Sequence, residues 1–217
     1  MNTPYKLTKE ELEIIARVAE DGAKHASESL SKLIAQDIAI EALEVRAIPV
    51  EEVHPVIGSP TDKATFVMMG ISGEASGNML LVYPQKSALV MADLLLKRQL
   101  GTTVQLDELD TSAIKESANI ITGAVLSLLS TCLHINMIGD VPSFVEDTLW
   151  TVTDEFLIKF IGAGMNRSVA LEIDFKINTV PAMPDPIRAH LILIFDVRSV
   201  EMMLTALQSA VGNRSPS

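Results

Sequence analysis

The chain has 217 residues, 48% of them hydrophobic, which is enough to bury a full core in one domain or in two small halves that share one. Its 17 basic and 28 acidic residues give a formal net charge of −11, which opposes a phosphate backbone or an anionic bilayer, so neither nucleic acid nor a membrane is expected as a partner. A single cysteine, Cys132, excludes an internal disulfide, and the opening MNTPYKLTKEELEII lacks the basic start and unbroken apolar run of a signal peptide, so a cytoplasmic chain is expected.

From Leu7 to about Gln36, apolar residues recur at helical spacing (Leu12, Ile15, Val18, Ala19, Ala26, Leu30, Leu33, Ile34), and Thr8 with Glu11 forms a capping box. Ile38–Val50 alternates as a strand. Pro, Gly and Asp mark Glu51–Lys63 as a loop. Ala64–Ile71 and Ser76–Tyr83 flank Gly73-Glu74 as an antiparallel hairpin, and Ser87 is expected to cap a helix reaching about Arg98. After Gly101 the order starts again with a long helix from about Leu109 to Cys132. Phe144–Ile161 mixes both periods and is expected to be helical. Val169–Ile177 and His190–Phe195 read as strands separated by a loop with Pro181, Pro184 and Pro186, and Ser199–Val211 reads as a last helix. No apolar run approaches the ~20 residues that span a bilayer.

The two halves superimpose. Asn78–Tyr83 matches His190–Phe195 at a register of 112 residues, which also sets Ser87 on Ser199 and Leu95 on Leu207. Each half holds several elements, so this is no solenoid. The expectation is an α+β fold with a pseudo-twofold, in which long helices pack on a shared antiparallel β-sheet. The halves are about 1–100 and 101–211, with a disordered tail at 212–217.

On the second long helix Ser112, Glu116 and Asn119 fall within a stripe about 60° wide and roughly 10 Å long. This stripe lies opposite Ile114, Ala118, Ile121 and Val125, and it continues through the small residues Gly123, Ser127 and Ser130. A polar face is what any amphipathic helix carries, but a mid-helix Asn has poor propensity and is a reason to look twice.

The pattern Ser112-x3-Glu116-x2-Asn119, with Pro142 following after 22 residues, resembles the active-site signature of the CheC/CheX/FliY chemotaxis phosphatases, and the CheC type also shows the two-half organisation. The resemblance implies a single CheC-like domain over 1–211. It implies a hydrolase that acts in trans on the phosphoryl-aspartate of a CheY-like response regulator. In that scheme Glu116 pairs with a lysine of the regulator, Asn119 holds the attacking water, and Ser112 and Pro142 support them. An acyl phosphate needs an in-line water and charge neutralisation more than a strong base, which suits an amide. The chain then needs no cofactor of its own, since Mg²⁺ belongs to the regulator.

CheC proteins often carry the signature twice. Here the aligned positions of the first long helix are Glu13, Arg17 and Glu20, with Leu43 for the proline, so that site is degenerate. Glu13/Arg17 and Glu20/Lys24 are expected to form i,i+4 pairs on a solvated face. A non-catalytic adaptor for phosphorylated CheY, or for the deamidase CheD, stands as the alternative. A CheX-like dimer is a further one, although the presence of both halves favours a monomer. His25, His54, His134 and His190 show no metal-ligand spacing, so no metal site is expected. Cys132 reads as an inert thiol on the apolar side, Gly70–Gly73 as a strand connection, and Asp107, Glu108 and Asp110 as favourable charges at a helix start.

Overall fold

The computed structural model describes residues 7–49, 53–154, 169–180 and 182–212. In chain order these form α1 (Lys9–Ile34), β1 (Ile38–Pro49), the short α2 (Val53–Ile57), β2 (Lys63–Gly73), β3 (Gly77–Pro84) and α3 (Gln85–Leu95). The order then repeats with α4 (Glu108–Leu133), β4 (Met137–Gly139), β5 (Ser143–Thr148), α5 (described over 149–154), β6 (Val169–Thr179), β7 (Ile187–Phe195) and α6 (Val197–Gly212).

All seven strands join one antiparallel sheet, ordered β1-β6-β7-β3-β2-β4, with β5 also on β2. The halves meet at its centre, where β3 pairs with β7 and Leu80 stands opposite Ile192. These two residues are also each other's counterparts in the 112-residue register, so the pseudo-twofold passes between them. β1 of the first half pairs with β6 of the second, so neither half closes a sheet alone.

One sheet face carries the main core. Met79, Leu81, Ile173, Phe175, Leu191 and Leu193 pack there against the buried sides of the long helices. α1 contributes Ile15, Ala19, Ala26 and Leu30, and α4 contributes Ile114, Ala118, Ile121 and Val125, with burial worth roughly 1.5–3 kcal/mol for each of the larger side chains. The helices touch closely, since a Cβ on Gly22 would lie 2.9 Å from Val125 Cγ2. By length and composition α4 could cross a membrane, but this face is committed to the core. A smaller cluster on the opposite sheet face joins Phe66, Leu80, Val82 and Ile192 to Val53, Ile57 and Leu149.

The helix-to-strand junction is duplicated residue for residue. α1 ends on Ala35 in the left-handed region (φ 53°) and α4 on His134 (φ 55°). In each case a serine hydroxyl in the last turn accepts from a strand amide seven residues on, Ile38 N to Ser31 Oγ at 2.9 Å and Met137 N to Ser130 Oγ at 3.3 Å. Ser130 is therefore engaged by its own chain and does not belong to the open stripe. The helix starts match too, with the expected Thr8–Glu11 capping box on α1 and an Asp107–Asp110 box on α4.

Four expectations need correction. Glu51–Lys63 is not all loop, because Val53–Ile57 form the short α2. Phe144–Ile161 is not one helix: 143–148 form β5 along β2, α5 begins at Leu149, and 155–161 lie outside the described residues. Ser87 does not cap α3, which begins two residues earlier. Its hydroxyl instead accepts from the Arg188 amide at 3.0 Å, tying α3 to β7. Glu13 lies 3.9 Å from Lys9 and Lys24 lies 3.1 Å from Asp21, so neither the Glu13/Arg17 nor the Glu20/Lys24 pair forms.

Gly77 pairs with Phe195 at one end of the β3–β7 ladder, and a Cβ there would stand 2.4 Å from the Ile194 carbonyl oxygen. Gly77→Ala must force the central strands apart. A loss of about 1–3 kcal/mol is expected, read as a lower urea midpoint with an unchanged m-value.

Candidate active site

α4 begins on a rigid base. Asp93, fully buried at the end of α3, accepts from the amides of Gly101 (2.7 Å), Thr102 (3.0 Å) and Thr103 (3.2 Å) and from Thr103 Oγ1 (2.6 Å). Arg98 then bridges Thr103 Oγ1 at 3.0 Å and the buried Asp110 carboxylate at 2.7 Å, which joins this loop to the first turn of α4. Asp107 caps the helix by accepting from Leu109 N and Asp110 N at 2.8 and 2.9 Å. Asp107 and Asp110 are thus a specific cap and a bridge, while Glu108 is an exposed charge at the helix start.

With its apolar face buried, α4 has only one rotation about its axis. Ser112, Glu116 and Asn119 are all exposed, whereas their neighbours Ile114, Ser117 and Ala118 are buried. Among the described residues neither the Glu116 carboxylate nor the Asn119 amide makes a hydrogen bond or ion pair, so both are available to an incoming group. Ser112 Oγ donates to the Glu108 carbonyl at 2.9 Å, and Ser117 Oγ donates inward to the Ile114 carbonyl at 2.8 Å. One turn beyond Asn119 a Cβ on Gly123 would meet nothing within 4 Å, and Ser127 is exposed, so the surface stays low there.

Pro142 lies half-buried in the break between β4 and β5, where Asp140 N donates to the Gly70 carbonyl at 2.9 Å. The matching position in the first half is also irregular: β1 has a bulge between Ala42 and Glu44, and the extra residue is Leu43, 45% exposed. Sequence alignment therefore placed both residues at equivalent interruptions of an edge strand. On α1, Glu13, Arg17 and Glu20 are exposed in the places of Ser112, Glu116 and Asn119. That half presents charges but no amide.

A family model described as chemotaxis phosphatase CheX matches residues 65–173, half of the chain. The chain belongs to that family. The match runs from β2 into β6, so it contains all of α4 and the β4–β5 break and leaves α1 outside. The chain is also similar to the CheY-P phosphatase CheC of Bacillus subtilis (strain 168), at 20% identity over 211 residues, covering 94% of this chain and 97% of that protein. Among solved structures, Thermotoga maritima FliY aligns with a TM-score of 0.73 at 21% identity, covering 95% of this chain and 100% of that one. The FliM middle domain from H. pylori aligns with a TM-score of 0.66 at 14% identity, covering 92% and 99%. CheX from Desulfovibrio desulfuricans aligns at 0.51 and 13%, covering 83% and 99%. At these identities the structural likeness establishes the fold, an α+β architecture that all three share with this chain.

Sequence reasoning missed the Asp93 clamp, whose donors lie 8–10 residues away in a loop with no periodic signal. Burial pushes the Asp93 carboxyl up, but the hydrogen bonds from Thr103, Thr102 and Gly101 outweigh it and hold the group below its ordinary value of 3.8. Because the folded value is depressed, the clamp contributes fully above about pH 4 and is lost as the pH falls through the folded value. Asp93→Asn should cost about 1–3 kcal/mol at neutral pH and should lose stability less steeply than the parent as the pH falls below about 4, as read by urea unfolding at a series of acid pH values.

Proposed function

We propose that this chain is a phosphatase that hydrolyses the phosphoryl-aspartate of a CheY-like response regulator in trans, with Asn119 positioning the water and Glu116 pairing with a lysine of the regulator. One observation carries the reading: a carboxylate and an amide, unpartnered among the described residues, stand a turn apart on the outer face of a helix whose inner face is locked in the core. A primary amide can donate to one group and accept from another without titrating near neutral pH, which fits it to orient a water for in-line attack. The negative charge of Glu116 suits a cationic partner group and would oppose a phosphoryl group brought directly against it, so the two residues divide the work.

Ser112 steadies the turn before Glu116, and Pro142 fixes the neighbouring edge-strand break. A stripe with one carboxylate is a poor donor set for a divalent cation, so Mg²⁺ enters with the regulator. We read the chain as a cytoplasmic monomer whose two halves make one domain, consistent with one sheet drawing strands from both.

A second reading, a non-catalytic adaptor that binds phosphorylated regulator or CheD, draws support from α1. There Glu13, Arg17 and Glu20 keep an exposed surface in the place of a site but lack its chemistry. The readings separate in one assay of phosphate loss from a regulator charged with acetyl phosphate and Mg²⁺. Asn119→Ala is expected to cut turnover by about 10²–10³-fold while leaving thermal stability unchanged, as for other single positioning donors. Binding without acceleration by the parent chain would instead favour the adaptor.

A further inference from the structure

The stripe that carries Glu116 and Asn119 begins with an apolar residue. Leu109, 59% exposed in the first turn of α4, lies three residues before Ser112 and so on the same side of the helix. A first turn ordinarily favours acidic or small polar residues, and both neighbours, Glu108 and Asp110, conform. The duplicated fold supplies an internal control. Both long helices start with the same capping box, so the second residue after each cap is unambiguous, and it is Leu109 on α4 but the exposed Glu10 on α1. The half with the amide has the leucine, and the half without it is charged at all four positions.

A second exposed apolar residue stands five positions before Leu109, in the loop that leads into α4. Val104 is 87% exposed, directly after the three residues whose amides are gripped by buried Asp93. Arg98 ties that loop to Asp110, next to Leu109. The chain thus holds Val104 and Leu109 on a stiff support, with little ordering entropy left to lose when a partner covers them.

We propose that Leu109, with Val104, is an apolar docking contact for the phosphorylated regulator and sets affinity where Asn119 sets turnover. The proposal rests on the catalytic reading above and extends its footprint along α4 by about one turn, from Ser112 to Leu109. The matching patch on the regulator is an apolar surface beside a cationic one, complementary to Leu109 flanked by Asp107, Glu108 and Glu116.

The test compares full-length Leu109→Ser, Val104→Ser and Asn119→Ala, with Leu33→Ser as a control for an exposed leucine elsewhere (53% exposed, on α1). Initial rates are measured against the concentration of phosphorylated regulator. Leu109→Ser is expected to raise KM about tenfold, equivalent to about 1.4 kcal/mol, with kcat and Tm unchanged, Val104→Ser to raise it less, and Leu33→Ser not at all. An unchanged KM in Leu109→Ser alongside a collapsed kcat in Asn119→Ala would overturn the docking claim and leave the catalytic reading standing. An equal rise in Leu33→Ser would overturn it as non-specific stickiness. Full activity in Asn119→Ala would sink the catalytic reading itself, and the docking claim with it, through a different variant.

Discussion

The burial of one face of α4 is the constraint on which the rest depends. Ile114, Ala118, Ile121 and Val125 are wholly or almost wholly inaccessible, and close contact with Gly22 of α1 leaves no room for the helix to rotate. At 3.6 residues per turn, burying those four residues decides which others face water. Glu116 and Asn119 are outside because their neighbours are inside. The site thus inherits its rigidity from the core and needs no loop to shape it, which suits a surface meant to enter another protein's pocket more than one meant to enclose a small molecule.

Duplication explains why the outward stripes can differ between the halves while the fold does not. The central strands pair across a pseudo-twofold, and the two helix-to-strand junctions use the same left-handed cap and the same serine-to-strand hydrogen bond. These shared features hold the fold together. The outward stripes take no part in them, so Glu10, Glu13, Arg17 and Glu20 can stand in one half while Leu109, Ser112, Glu116 and Asn119 stand in the other. The difference falls on solvent-facing positions, where substitutions change stability by only about 0.5 kcal/mol.

Much of this was legible in the sequence because the signals are local or periodic. The Thr8–Glu11 box, the helical spacing along α1 and α4 and the match of Asn78–Tyr83 to His190–Phe195 require no knowledge of tertiary contacts. The failures share a cause in the other direction. β5 is an edge strand in which Phe144 and Val145 are both half-buried, so period-2 alternation is blurred and the segment merges with the apolar start of α5. Ser87 looks like a cap but serves a strand 101 residues away. The Asp93 clamp is invisible because nothing along the chain marks a carboxylate as buried until the loop folds over it. Side-chain charges on α1 chose other partners within the same turn, as exposed ion pairs of small energy can. The exposure of Glu116 and Asn119 was deducible from spacing. The attachment of α4 to a pinned loop was not.

The most direct test of the central claim is a double-mutant cycle on binding, combining Glu116→Ala in this chain with alanine at the active-site lysine of the phosphorylated regulator. If the outer stripe of α4 enters that pocket, the two substitutions are coupled by about 0.5–3 kcal/mol, and the double variant binds better than the sum of the single losses allows. Strict additivity, within about 0.3–0.5 kcal/mol, would mean that Glu116 does not meet that lysine and that the regulator, if it binds, docks elsewhere.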